Sequence, residues 1–363
     1  MKTILILCGG RSTEHEIALR SAKSVINTLD RQKYHVEVCY IDKSGRFIPI
    51  GPLEHVDKPE DLMRETQVSR LESLRAFCAY AEKLTAASEK VIVFPVIHGQ
   101  TGEDGEIQGF LQTLGLSYVG NRLTSSALCM DKGFANDVFQ ACGIPEAEYL
   151  VYNLSEWKAD GENIGPLCDA IRARFGFPCF VKPANNGSSV GVNRATEESL
   201  EAAVREAFRF DRRIVIEEEI QGHELEVSIL GNATPKASLP GSYTSTHEIL
   251  DYEAKYNDTS TKENVPHPLS PEQTKAVQAI ALRAYEAAGC EGFARVDLFL
   301  GKNDKLYINE INTFPGMTPS SLAPKLWTAL TDMTFSAYLD EIINYAMESE
   351  ASQATVETSW EEA

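Results

Sequence analysis

The chain has 363 residues, 43% of them apolar and 24% charged, which fits two or three globular domains and argues against a disordered or fibrous protein. Its formal net charge of −19 argues against nucleic acid or an anionic membrane as partner, because both are bound through a positive field. Any phosphate ligand must then be held by local lysines, backbone amides and metal.

In chain order, MKTILILCGG opens with an apolar run shorter than the roughly seven to fifteen residues of a signal-peptide core, so it reads as a first strand. A Gly9-Gly10 turn follows, then a helix for which Thr13 and Glu16 would form a capping box. HVEVCYID (35–42) and VIVFPVIHG (91–99) are further buried strands separated by helical pattern, which predicts an open parallel, Rossmann-like sheet over residues 1–125. His98 ends the last of them, where ligands bind in open α/β sheets. A nicotinamide site lacks its G-x-G-x-x-G.

Residues 126–230 read as an α+β lobe: a helix KGFANDVFQAC, two strands around the Gly/Ser-rich loop of FPCFVKPANNGSSVGVNRA, a helix and the strand RIVIEEEI. A second lobe spans 231–347. It contains an aperiodic segment, 238–268, of the kind that forms lids, a helix opened by Ser270, Pro271 and Gln273, a strand hairpin, and a helix near 333–347. The acidic tail, 348–363, reads as disordered. Segments 50–90 and 155–175 carry no pattern that assigns them a role. The eight cysteines never form C-x-x-C and sit mostly in apolar runs, as in a reduced cytosolic protein, and no run approaches the roughly twenty apolar residues of a membrane helix.

Side chains alternate along a strand, so Glu310 and Asn312 of YINEIN point the same way. If Lys302 to Lys305 form the hairpin loop, Gly301 pairs with Leu306 and Asp297 falls opposite Glu310. Three oxygen donors without His or Cys suit Mg²⁺ or Mn²⁺; the alternative is a solvated polar face. Lys182 ends a strand beside Gly187, Ser188, Ser189 and Gly191, whose backbone N–H groups can approach an anion, although a plain Gly/Ser hairpin reads the same way. Metal, glycine-rich loop and isolated lysines together suggest a nucleoside triphosphate. Glu217, Glu218 and Glu219, with Glu224 beyond, offer the carboxylate a ribose needs; Glu219 reads as solvated.

The order of motifs resembles one family. Gly9 to Glu14, HGxxGEDGxxQG (98–109), MDK (130–132), KPxxxGSSVG (182–191), the IE strand, DYEAKY (251–256), RVD, NEIN and PGMT are similar to those of D-alanine–D-alanine ligases. This resemblance implies an N-terminal Rossmann-like domain followed by a two-lobed ATP-grasp fold. It implies ATP-driven joining of two D-alanines through a D-alanyl phosphate, for peptidoglycan precursors, by a cytoplasmic homodimer. Asp297, Glu310 and Asn312 would hold two Mg²⁺ or Mn²⁺ ions, and Lys132, Lys182, Ser188 and Ser189 the phosphates of ATP. Glu217, Glu218 and Ile220 would line adenine, with Glu224 on ribose. Where many relatives carry lysine this chain has Glu218, so only a backbone contact transfers. Glu14 would bind the first ammonium, His98 and Lys255 substrate, Arg295 the oxyanion, and Ser321 with Leu322 the second carboxylate. Tyr256, Ser188 and Glu14 would form a triad under the lid. Tyr256 is linked to D-alanine as acceptor; D-lactate or D-serine is the alternative. A nucleotide-binding regulator that had lost catalysis should lack a metal ligand or phosphate lysine, and none is missing.

Overall fold

The computed structural model describes residues 1–244, 262–302 and 304–356. The apolar runs read as strands build the first sheet: β1 (Lys2–Gly9), then helix α1 (His15–Thr28), β2 (Tyr34–Ile41), β3 (Phe47–Pro52), α2 (Arg70–Ala87), β4 (Val91–Val96), α3 (Glu106–Thr113) and β5 (Ser117–Tyr118). Their order is β3-β2-β1-β4-β5, parallel from β2 to β5. The edge strand β3 departs from the expected all-parallel sheet. The chain reverses through Gly45 (φ 78), which leaves no room for a crossover, so β3 pairs antiparallel with β2. Segment 50–90 supplies α2, whose buried Phe77 packs against Phe47.

The capping box expected from Thr13 and Glu16 does not form. Glu14 occupies the N-cap without a side-chain bond, Ser12 Oγ accepts from the Glu14 N–H (3.0 Å), and Glu16 turns out to Lys43 (2.6 Å). This leaves the Glu14 carboxylate free to face away from the helix.

After α4 (Leu123–Met130) and α5 (Lys132–Ala141) comes a second sheet. It is formed by β6 (Tyr149–Asn153), α6 (Leu154–Ala159), α7 (Gly165–Arg174), β7 (Cys179–Pro183), β8 (Asn193–Ala195), α8 (Leu200–Ala207) and β9 (Arg213–Glu218), antiparallel in the order β6-β9-β7-β8. Segment 155–175 is thus a pair of helices whose Trp157, Leu167 and Ile171 cover the sheet's Val181 and Ile216.

The third sheet has the order β11-β10-β14-β15, from β10 (Gly222–Leu230), β11 (Lys236–Ala237), β14 (Phe293–Gly301) and β15 (Leu306–Asn312). Between them lie β12 (Ser242–Thr244), β13 (Lys262–Asn264) and α9 (Pro271–Ala287), the last opened by the expected Ser270–Gln273 capping box. Two expected boundaries move. β10 pairs along its length with β14, so the lobes divide between Glu218 and Gly222 rather than at 230. Cys129 of α4 and Phe139 of α5, assigned by pattern to the central lobe, join Val227, Tyr285 and Val296 in the core of the third sheet. The segment expected to be aperiodic opens and closes on the paired strands β12 and β13; 245–261 lie outside the described residues.

After α10 (Leu322–Thr328), the last helix, α11 (Phe335–Gln353), returns to the first domain, where Tyr338, Leu339, Ile342 and Ile343 pack with Ile4, Ile6, Val36 and Phe94. It runs past 347, so the tail expected to be disordered from 348 is helical through Gln353. Glu350 pairs with Lys90 of the first domain, and Ser349 Oγ donates to Glu291 (3.0 Å). These contacts hold the acidic end that composition alone reads as free.

Candidate active site

The site lies where the three sheets meet. At its first wall, Gly9 and Gly10 have φ of 91° and 102°, and a Cβ on Gly9 would sit 2.4 Å from the Ile41 carbonyl oxygen, so only glycine makes this turn. The turn delivers Glu14. Its Oε1 accepts from Ser188 Oγ at 2.6 Å, linking the first domain to the Gly/Ser loop of the second. A Cβ on Gly99 would fall 2.6 Å from Glu14 Oε2, so glycine beside His98 keeps space for that carboxylate. Ser188 (φ 52) and Ser189 (φ 56) are left-handed non-glycine residues, a strained arrangement that clusters at functional sites.

Two lysines enter from separate elements. Lys182, at the end of β7, donates from Nζ to Glu217 Oε2 at 2.5 Å and to Asn309 Oδ1 at 3.3 Å. Burial opposes its charge, but Glu217 outweighs burial and holds its pKa above the ordinary value. Lys132 starts α5, which Asp131 caps through the Phe134 N–H, and its Nζ meets Glu310 Oε2 at 3.1 Å and donates to the Asn186 carbonyl at 2.9 Å.

Asp297 does lie opposite Glu310, as expected. The hairpin reaches that register differently. Leu300, not Gly301, pairs with Leu306, and a bulge beyond Asp297 restores the expected pairing. On the other side Asp297 faces Glu226 of β10, so carboxylates form a row across three strands. Arg295 grips Asp297 with two hydrogen bonds, 2.7 and 2.6 Å, and stands 3.3 Å from Glu226. Burial raises the pKa of Asp297, helped by Glu226 and Glu310, and Arg295 only partly offsets it. Burial also opposes the charge of Glu310, yet Lys132, Lys182 and Arg295 hold its pKa below the ordinary range.

This donor set fits a hard divalent cation: the buried carboxylate of Asp297, the partly exposed one of Glu310 and the amide of Asn312, all oxygen. Asn312 Oδ1 accepts from the Phe314 N–H (3.0 Å), which fixes the amide. Among the described residues no three His, Cys, Asp or Glu side chains close into a metal cage.

His98 is buried, with Nε2 2.8 Å from Ser21 Oγ and Nδ1 3.1 Å from the Phe314 carbonyl oxygen. Burial lowers its pKa, but Glu103, 3.6 Å away, more than compensates and the net shift is upward. Ser321 occupies the N-cap position of α10 without a side-chain bond to the helix, and its Oγ accepts from the Thr318 N–H (3.2 Å), while Leu322 is buried. Glu224 accepts from Asn309 Nδ2 at 3.4 Å, and the Glu218 N–H donates to the Glu148 carbonyl. Ile220 lies in the short crossing between β9 and β10. Glu219, expected to be solvated, is held by Arg194 through bonds of 2.6 and 3.1 Å. Lys255 and Tyr256 lie outside the described residues, so of the triad only Glu14 and Ser188 are seen together.

Three residues escaped the sequence reading. Glu226 was legible, since it shares a strand face with Glu224 two residues away. Asn309 was not: simple alternation aims it away from Glu310, and only the bulge turns it to Lys182. Ser21 carried no signal beyond a polar residue on a helix.

Models of the D-Ala D-Ala ligase N-terminus and C-terminus match residues 3–121 and 138–344. The chain belongs to the D-alanine–D-alanine ligase family. It is 42% identical over 351 residues to the D-alanine–D-alanine ligase of Finegoldia magna, with 96% of each chain covered. The corresponding ligase of Geobacillus thermodenitrificans is 38% identical, again over 96% of each. Among solved structures, the D-alanine–D-alanine ligase of Coxiella burnetii superposes with a TM-score of 0.76 at 34% identity, covering 98% of this chain and 97% of that one. A D-Ala:D-Ser ligase from Enterococcus faecalis gives 0.76 at 29% identity, covering 95% and 99%. The two antiparallel lobes are thus an ATP-grasp fold behind a Rossmann-like domain, and the chain is a ligase that uses ATP. Among the described residues no helix is long and apolar enough to cross a membrane.

Proposed function

We propose that this ligase joins two D-alanines by way of a D-alanyl phosphate, in the cytoplasm and as a homodimer, to supply peptidoglycan precursors. The observation that carries the reading is the meeting of Lys132, Lys182 and Glu310 beside the Glu14–Ser188 bond: phosphate-binding cations and an ammonium-binding carboxylate at one junction.

Glu14 holds the ammonium of the first D-alanine, with His98 near its carboxylate. That carboxylate is a poor electrophile, so one of its oxygens first attacks the γ-phosphorus of ATP and ADP leaves. Lys132 and Lys182, with the backbone N–H groups around Ser188 and Ser189, bind the phosphate oxygens and lower the cost of the charge that develops. Asp297, Glu310 and Asn312 would hold two Mg²⁺ or Mn²⁺ ions, which when bound neutralise charge on the phosphate oxygens. Glu217, Glu218 and Ile220 line the adenine, and Glu224 receives the ribose. The amine of the second D-alanine, its carboxylate at Ser321 and Leu322, then attacks the acyl carbon and phosphate leaves. Arg295 donates to the oxyanion formed in that step. Water would hydrolyse the acylphosphate, which is the reason a lid is needed; that role for 238–268, and those of Lys255 and Tyr256, enter here by resemblance alone.

D-Serine as acceptor is a second reading, favoured by the likeness to the Enterococcus faecalis D-Ala:D-Ser ligase. One assay separates the two: phosphate release from ATP with D-alanine alone, or with D-alanine plus D-serine or D-lactate, and product identification by mass. D-alanyl-D-alanine as the main product with both competitors present supports the proposal; a mixed dipeptide or depsipeptide as the main product overturns it.

A further inference from the structure

His98 and Ser21 come from different elements and meet at 2.8 Å in a place closed to water, with Ser21 wholly buried and His98 3% exposed. A carbonyl oxygen can only accept, so the 3.1 Å contact with Phe314 requires a proton on Nδ1 of His98. Nε2 is then the bare nitrogen of the neutral ring, and it needs a donor. Ser21 Oγ is the group within reach, and it also accepts from the Met317 N–H at 3.3 Å, so its own hydroxyl proton is left for Nε2. A hydroxyl can further accept from Nε2–H when the ring is charged, whereas an alanine methyl can do neither. The charged groups facing this ring are Glu103 and Glu14, and Phe314 packs on it at 5.5 Å between centroids.

These bonds join pieces that the chain keeps far apart. Ser21 lies two turns beyond Glu14 on α1, while Phe314 and Met317, both buried in the core of the first domain, lead directly to Thr318 and Ser321. We infer that Ser21 is a positioning residue: through His98 Nε2 and the Met317 N–H it satisfies the ring nitrogen that the Phe314 carbonyl leaves bare and locks the loop 314–321 onto α1, aligning the two D-alanine subsites. The inference rests on His98 and Ser321 belonging to the D-alanine end of the site, as proposed above.

The test compares Ser21→Ala, Ser21→Thr and His98→Gln in the full chain. Ser21→Ala should raise KM for D-alanine about tenfold, the scale of one buried polar group left unpaired, with KM for ATP nearly unchanged, and Ser21→Thr should restore it. In histidine-selective ¹⁵N spectra, the resonance that His98→Gln removes should show the Nδ1–H tautomer above the ring's titration in the wild type, and in Ser21→Ala its Nε2 signal should move as expected for loss of an accepted hydrogen bond. If His98→Gln raises KM for D-alanine but Ser21→Ala does not, the positioning role is overturned while the substrate site stands. If His98→Gln also leaves it unchanged, the reading of His98 itself fails. An Nε2–H tautomer in the wild type overturns the role directly, whether or not the alanine variant folds.

Discussion

Asp297 faces Glu310 across the β14–β15 hairpin even though the hairpin closes one residue tighter than that pairing requires, and a bulge at Asn309 supplies the missing residue. The bulge does two things at once. It keeps Glu310 and Asn312 on the face of Asp297, and it turns Asn309 toward Lys182 and Glu224.

Replacing Glu310 by Gln keeps the shape of the side chain but removes the charge that Lys132 meets and that a hard cation needs. Dipeptide synthesis should fall by a factor on the order of 10² to 10³, as for loss of a central electrostatic group. Far-UV circular dichroism should stay native, and near-normal turnover in saturating Mg²⁺ would remove Glu310 from the metal site.

Ser188 combines a left-handed backbone with the hydroxyl that donates to Glu14. Ser188→Ala and Ser188→Gly both delete the hydroxyl and should lower kcat/KM alike, by about tenfold to a hundredfold. They should differ in stability, the glycine variant being more stable by about 1 kcal/mol, because only alanine keeps the Cβ strain at positive φ. Equal denaturation midpoints for the two would mean that the loop relaxes in solution.

Glu146 lies at the seam where β15 meets the central lobe, and neither of its carboxylate oxygens has a hydrogen-bond partner. Burial raises its pKa from 4.5 to about 8, with Glu217, Asp137 and Glu148 adding to the rise and Arg174 opposing it. A carboxyl whose folded pKa is raised stabilises the protein when protonated, so this contribution is full below 4.5 and is lost as pH climbs to about 8. Glu146→Gln should flatten the fall in Tm over that window, which parallel thermal melts from pH 5 to 8 would reveal. Parallel curves for the two proteins would show that Glu146 is ionised throughout.

The end of α11 offers a contrast between two truncations. A stop after Glu348 deletes Ser349 and Glu350, hence the contacts to Glu291 and Lys90, and should lower Tm by about 2 to 4 °C, equivalent to roughly 1 kcal/mol. A stop after Val356 removes neither and should leave Tm unchanged. Identical melting of both truncated proteins would return the helix end to the status of a free tail.

What the amino-acid sequence determined by itself was local or periodic. Strand alternation put Glu310 and Asn312 on one face, apolar runs announced the parallel strands, and the Gly-Gly and Gly/Ser loops marked where backbone must approach a ligand, because each property depends on residues a few positions apart. The family motifs added the order of the parts. Other features required the chain to meet itself. That β10 belongs to the last sheet, that Glu226 extends the carboxylate row and that α11 returns to cover the first sheet are matters of pairing between segments that pattern cannot match. The Asn309 bulge inverts the alternation rule at one residue, and Ser21 acquires its role only because a loop nearly three hundred residues later docks on α1. Periodicity tells which face is apolar; packing alone decides which distant face it meets.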